Sequence, residues 1–234
     1  MPYQFPANKK TCILFIFLVF VFCCNAQQPL SGIFAGAQAS SARYSVRGIK
    51  QPTEYKYGFQ AGFGMKIPFE TNLYFSPAVF YSLKGYKVKL NRYVYPPDTA
   101  ATDNNTTIHT FEFALLLQYD IGSKPGHFFI KIGPSLDFQL KGKEKFTLMN
   151  DSSVNKDMIY DFGAYGRYCG NLLMQFGFET RGGFMIFAQY SLGLANINNA
   201  DDGPNIKHRA FGISIGKYFN NKNKKIVIDT RNKE

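Results

Sequence analysis

The stretch Phe128-Phe129-Ile130-Lys131-Ile132-Gly133-Pro134-Ser135-Leu136-Asp137-Phe138-Gln139-Leu140 decides the fold of this 234-residue chain. Phe128, Ile130, Ile132, Leu136, Phe138 and Leu140 share one parity. Lys131, Gly133, Ser135, Asp137 and Gln139 share the other. Successive side chains of a strand point to opposite faces, whereas a helix repeats every 3.6 residues. The segment is therefore a strand with one greasy and one polar face.

The same alternation recurs along the chain. Phe111, Phe113, Leu115, Leu117 and Tyr119 oppose Glu112, Ala114, Leu116, Gln118 and Asp120. Residues 55–66, 73–84, 184–194 and 211–216 repeat it, and a weaker first strand runs near Gly32 to Ala39. The parity also holds from Ile159 to Thr180, which reads as one long strand bent at Gly166 or Gly170, with two strands as the alternative. The links alternate long (40–54, 85–107, 142–158, 195–207) and short (Pro68 to Thr71, Gly122 to Gly126, Arg181 to Gly183). Keeping 159–180 whole gives eight strands with both termini on one side.

Composition narrows the environment. Hydrophobic residues make up 45%, aromatics 17% and charged residues only 18%, below the roughly 25% of an average soluble domain. Residues 1–26 carry the marks of a cleaved secretory signal: Lys9 and Lys10, an apolar run from Thr11 to Phe22, and Cys24-Asn25-Ala26 before Gln27. An uncleaved anchor helix and a lipoprotein site at Cys23 or Cys24 are the alternatives. Removing the signal takes Cys12, Cys23 and Cys24 away and leaves Cys169 alone, so no intrachain disulfide can hold the exported protein. The remaining chain, 27 Lys+Arg less Lys9 and Lys10 against 16 Asp+Glu, is still basic. Beyond the signal no apolar run approaches the ~18 residues of a spanning helix, which excludes helical crossings only.

An all-β chain of this pattern is either a soluble β protein with its apolar face inside or a membrane barrel with its apolar face outside. Long strands, inward faces rich in Gly, Ser, Ala and Gln, and alternating loop lengths all favour the barrel. Closure removes the sheet edges that lipid cannot satisfy. The expectation is a closed, antiparallel, up-and-down transmembrane β-barrel of eight strands in an outer membrane. Ten strands, using Ile226-Val227-Ile228, form the alternative. The organisation expected is a signal over 1–26, a barrel over 27–219 and a polar basic tail over 220–234. Tyr55, Tyr57, Tyr81, Tyr119, Phe128, Tyr190 and Phe219 are expected to form interfacial girdles.

The order Ser76-Pro77-Ala78-Val79-Phe80-Tyr81-Ser82-Leu83-Lys84-Gly85, Phe111 to Tyr119, Gly133-Pro134, Asp161-Phe162-Gly163, Tyr190-Ser191-Leu192-Gly193-Leu194 with Asn196-Ile197, and Gly212 to Phe219 resembles the PorT-type outer-membrane β-barrel domain of Bacteroidetes. The resemblance covers nearly all of 31–219. It implies an eight-stranded barrel and little about activity. The tail beyond Tyr218-Phe219 departs from the usual aromatic end of such barrels.

Two sets of charged residues are candidate sites. Glu112, Asp120, Lys131, Asp137, Arg167 and Glu179 fall on the inward parity, where unpaired charge is costly. They are expected to form an ion-pair network plugging a lumen only wide enough for side chains. Lys84, Lys87, Lys89 and Arg92, with Lys141, Lys143 and Lys145, lie at the external strand ends and are expected to meet anionic lipid headgroups or lipopolysaccharide phosphate. His109 and His208 begin strands near the outer rim, so Ser41, Ser45 or Ser191 could complete a lipid-modifying enzyme, but no catalytic motif is present. His127 is the third histidine. No Cys/His cluster has metal-ligand spacing, and Cys169 is expected to be a small inward residue. No cofactor and no nucleic-acid partner are expected. The role expected is structural or loop-mediated binding at the envelope, with a secretion-system accessory subunit or an outer-leaflet lipid enzyme as rivals.

Overall fold

The structure, a computed structural model, describes residues 29–91, 94–122 and 126–219. The expected signal over 1–26, Arg92 and the tail over 220–234 lie outside them. Eleven strands follow in order: β1 Leu30–Val46, β2 Ile49–Lys50, β3 Thr53–Glu54, β4 Lys56–Glu70, β5 Leu73–Lys89, β6 Asp103–Ile121, β7 His127–Thr147, β8 Ser153–Asp157, β9 Tyr168–Glu179, β10 Phe184–Gly193 and β11 Asn205–Phe219. Eight of them, all but the short β2, β3 and β8, form an antiparallel up-and-down ring. β1 pairs with β4 from Leu30 to Ser40 and with β11 from Ser31 to Ser45, which closes the ring and leaves it no edge. The eight-stranded expectation holds.

The short connections lie at the end of the ring that carries both termini. Asn72, with φ 64°, turns β4 into β5, and Gly183, with φ 78°, turns β9 into β10. At the opposite end Arg47 and Gly48 both take positive φ, as a two-residue hairpin requires, and join β1 to β2. In such barrels the short-turn end is periplasmic and the long-loop end external.

The outward parity of the ring is apolar and exposed: Phe111, Phe113, Leu115, Leu117 and Tyr119 on β6, and Phe128, Ile130, Ile132 and Leu136 on β7. Bulky lumen residues fit because glycines stand beside them. A Cβ on Gly177 would lie 2.6 Å from Phe187 Cβ and 2.7 Å from Phe129 Cζ.

Two expectations need correction. Of the segments expected to be external loops, 40–54 and 142–158 are largely strand and 85–107 is strand at both ends, because β1, β5, β6 and β7 run on past the apolar band. There the polarity inverts: Tyr86, Val88, Ile108 and Phe146 point inward and are buried, while Lys87, Lys89, Lys143 and Lys145 point outward. Outside lipid, the inner face is the place to bury apolar side chains. The single strand expected over 159–180 begins only at Tyr168. Residues 159–167 leave the sheet because Tyr165 turns into the external core, held by bridges to Tyr160 and Asn198.

Candidate functional site

The interior is stacked in layers along the barrel axis. At the periplasmic end, Lys66 Nζ lies 2.7 Å from Asp120 Oδ2 and 2.7 Å from Glu179 Oε2. His127 Nε2 sits 3.0 Å from the same Asp120 oxygen, and Gln118 Nε2 donates to Asp120 Oδ1 at 2.7 Å. Asp120, His127 and Glu179 form a three-ligand set by residue type. The Lys66 ammonium already bonds both carboxylates, and so holds the position that a metal ion would take.

Above this cluster lies an apolar layer of Phe34, Phe80, Leu116, Phe129, Leu173 and Phe187. Lys131 enters it with its Nζ 3.0 Å from Tyr218 Oη and 5.0 Å from the Phe129 ring centroid. A ring face attracts an ammonium through its quadrupole. An amide and hydroxyl layer follows. Gln189 Nε2 donates to Gln60 Oε1 at 2.5 Å, Gln60 Nε2 to Ser214 Oγ at 2.8 Å, and Gln38 Nε2 to Ser82 Oγ at 2.7 Å.

The upper ion cluster is centred on Lys84. Its Nζ lies 2.7 Å from Glu112 Oε2 and 2.9 Å from Asp137 Oδ1, and Ser135 Oγ donates to Glu112 Oε1 at 2.5 Å. Beyond it stands the external core, where Tyr44, Tyr86, Ile108, Phe146, Tyr165 and Ile206 are buried together. Glu144 lies in this core, above the apolar band, and accepts from Tyr165 Oη at 2.5 Å and Asn104 Nδ2 at 2.8 Å. Burial pushes its carboxyl pKa up, and those two hydrogen bonds and Lys156 pull against the rise.

The charges expected in one network are divided into separate groups. Glu112 and Asp137 meet at one level, Asp120 and Glu179 at another. Lys131 is inside but its polar partner is a tyrosine, not a carboxylate. Arg167 is not in the lumen: it is exposed, donates to Gln139 O at 3.3 Å and lies 4.9 Å over the Tyr160 ring. It left the inward parity when its segment left the sheet. Lys84 is not a headgroup contact: it is 3% exposed and holds the upper cluster. Lys66 and His127 were missed as site residues, although Lys66 shares the inward parity of Gln60 and Gly62.

Lys87, Lys89, Lys141, Lys143 and Lys145 are exposed on the outer wall, just above the apolar band. The β5–β6–β7 register sets them in rows, with Lys87, Asn105 and Lys145 level and Gly85, Thr107 and Lys143 one row below. Among the described residues only loose surface pairs offset them: Lys87 with Glu54 at 4.0 Å and Lys141 with Asp157 at 3.8 Å.

The histidines are not joined to the serines. His109 is outward and bonds Tyr81 Oη at 2.5 Å, while Ser41 Oγ donates to Thr53 at 3.4 Å. His208 is walled into the interior against Tyr86, with ring centroids 5.5 Å apart. Cys169 is buried, as an inward residue of β9.

Residues 25–199 match the family model described as an outer membrane protein beta-barrel domain. No curated protein matches the chain. Among solved structures, the chain is similar to Ail, the attachment invasion locus protein of Yersinia pestis, in complex with the heparin analogue sucrose octasulfate. That match has 14% identity and a TM-score of 0.43, over 82% of this chain and 99% of that one. It is also similar to the outer membrane protein OprG from Pseudomonas aeruginosa, at 13% identity and a TM-score of 0.44, over 82% and 97%. A third match is Neisserial surface protein A, at 13% identity and a TM-score of 0.38, over 80% and 97%.

Proposed function

This chain belongs to the outer membrane protein beta-barrel domain family, and on that premise we propose that it is a plugged, non-conducting barrel whose external tier binds at the envelope surface. Within that family we assign it to the PorT-type domains of Bacteroidetes, exported by a cleaved signal over residues 1–26; the motif order from Ser76 to Phe219 supports the assignment. Its basic wall, Lys87, Lys89, Lys141, Lys143 and Lys145, contacts the phosphates of anionic outer-leaflet lipid or lipopolysaccharide. It carries out no catalytic step.

The observation that carries this proposal is the layering of the lumen. Two buried ion clusters are separated by a layer of Phe34, Phe80, Phe129 and Phe187, so a hydrated ion would have to cross apolar packing. An eight-stranded ring is narrow enough for side chains to fill it. The test is single-channel recording of the purified protein in planar bilayers. A flat baseline is expected, and reproducible open steps would refute the plug.

A further inference from the structure

We propose that the wall opposite the lysine rows, along β1 and β11, holds a specific binding site for one phosphate-bearing lipid of the outer leaflet. It deepens the envelope role proposed above and rests on its orientation, with the long-loop end external.

The headgroup end is a concave site of about 670 Å³ lined by Arg43, Lys50, Lys207 and Arg209, with Gln51 and Asn205, and no acidic residue lines it. Cα partners Arg43 and Lys207 lie side by side across the β1–β11 ladder, and Arg209 stands one row below beside Ser41. The cations are thus fixed on paired strands rather than on loose loops. The Arg209 guanidinium lies 5.6 Å from the Tyr55 ring centroid. Its Nε is buried and has no hydrogen-bond partner among the described residues. A donor without an acceptor costs free energy, and carboxylate and phosphate oxygens are the acceptors that a guanidinium fork fits. In a cup with no acidic lining the acceptor must come from a ligand, and phosphate fits it.

Directly beneath this site the barrel wall is hollowed. Between Ile33 and Ser41 the outward residues of β1 are Ala35, Ala37 and Ala39. On one side they pair with Ile215, Ile213 and Phe211, and on the other with Ala61, Phe59 and Tyr57. Small side chains between bulky ones make a trench, which opens at its lower end into an apolar depression of about 700 Å³ lined by Ala35, Ala61, Ile186 and Ile215. From Ala35 to Ser41 the trench runs ~20 Å at ~3.4 Å per residue. Tilted by ~40°, it spans ~15 Å of depth, about half of a ~30 Å hydrocarbon core. The combination of a four-cation cup over a one-leaflet apolar trench fits an acyl chain in the trench and its phosphate in the cup. Inorganic phosphate alone would use only the cup.

The test is native mass spectrometry of the purified full chain offered bis-phosphorylated lipid A, its dephosphorylated counterpart, or inorganic phosphate. Folding of each variant is checked by heat-modifiable gel migration. Wild type is expected to retain the phosphorylated lipid and not the dephosphorylated one. R43Q/R209Q is expected to lower retention about tenfold or more, the loss that removing charge-assisted bonds worth ~1.4 kcal/mol produces. Ala37→Phe fills the trench and is expected to lower lipid retention without changing phosphate binding. Equal retention by R43Q/R209Q, equal retention of the dephosphorylated lipid, or no effect of Ala37→Phe would overturn the proposal. K141E/K143E/K145E, run in parallel, separates the two walls. If that variant alone loses the lipid, this site fails while the broader envelope role stands.

Discussion

Lys84 Nζ lies 2.9 Å from both carboxylate oxygens of Asp137, two strands away across β6, and neither side chain reaches solvent. Glu112 completes the group, so a single ammonium is bonded to two carboxyl groups. Lys84→Met would leave both uncompensated. Removing one partner of a buried pair costs about 3–5 kcal/mol, so the variant should unfold at a lower temperature in heat-modifiability assays. The triple variant K84M/E112Q/D137N should recover much of the loss. Equal stability of K84M and wild type would show the pairing to be energetically idle.

The lower cluster makes a different prediction. Lys66 fills the space among Asp120, His127 and Glu179, whose ligand atoms lie within 4.8 Å of one another. Lys66→Ala should be destabilised in metal-free buffer and partly restored by Zn²⁺, which accepts His and carboxylate ligands. Zinc at about 100 times its dissociation constant would contribute about 2.7 kcal/mol. Wild type should show no such response. The check is unfolding temperature with zinc and with chelator, and a zinc-insensitive Lys66→Ala would reject the substitution of cation for ammonium.

The external tier should be pH-sensitive through Glu144. Burial raises its carboxyl pKa above the ordinary 4.5. Between that value and the raised one, the folded state holds a proton that the unfolded state has released. The contribution of Glu144 to stability is thus greatest at acid pH and declines as pH rises through the window. Glu144→Gln keeps an acceptor oxygen for Tyr165 and Asn104 and should flatten the dependence. Protease resistance of the external strands, measured across pH, reads this directly, and an unchanged slope in Glu144→Gln would count against it.

Charge reversal at Lys141, Lys143 and Lys145 tests the lysine wall in cells. These side chains are exposed, so the barrel should fold normally. Sensitivity to cationic antibiotics that act on outer-leaflet lipid should change, because the wall would repel the phosphates it is proposed to meet. Unchanged sensitivity in a folded variant would remove the lysine rows from the proposed role.

The period-two alternation of the sequence was enough for the architecture: an eight-stranded antiparallel ring with Phe, Leu and Ile outside. The same parity rule also places Lys84 and Lys66 inward, since each continues the polar face of its strand. Lys84 reads as a headgroup contact by composition, because it opens a run with Lys87 and Lys89 that looks like a solvated loop, yet its parity is that of the buried face. The polarity inversion at Tyr86, Val88, Ile108 and Phe146 was likewise present in the sequence. It was hidden among Asn, Asp and Pro residues that resemble loop chemistry. Arg167 departs for the opposite reason: its segment leaves the sheet before β9 begins at Tyr168, so parity does not fix its side.

Partnership is set by the closed barrel. Alternation states which face a residue occupies, but not its height or its neighbours around the ring. Those depend on the stagger of each strand pair and on closure of β1 against β11. Hence Lys66 reaches Glu179 across 113 positions of sequence, Gln189 reaches Gln60 across 129, and Arg43 comes to lie beside Lys207. Alternation along the chain is sufficient for a lipid-facing cylinder, because it needs only the parity of each strand; the register of closure sets which buried charges pair, because that depends on the height of every strand against its neighbours.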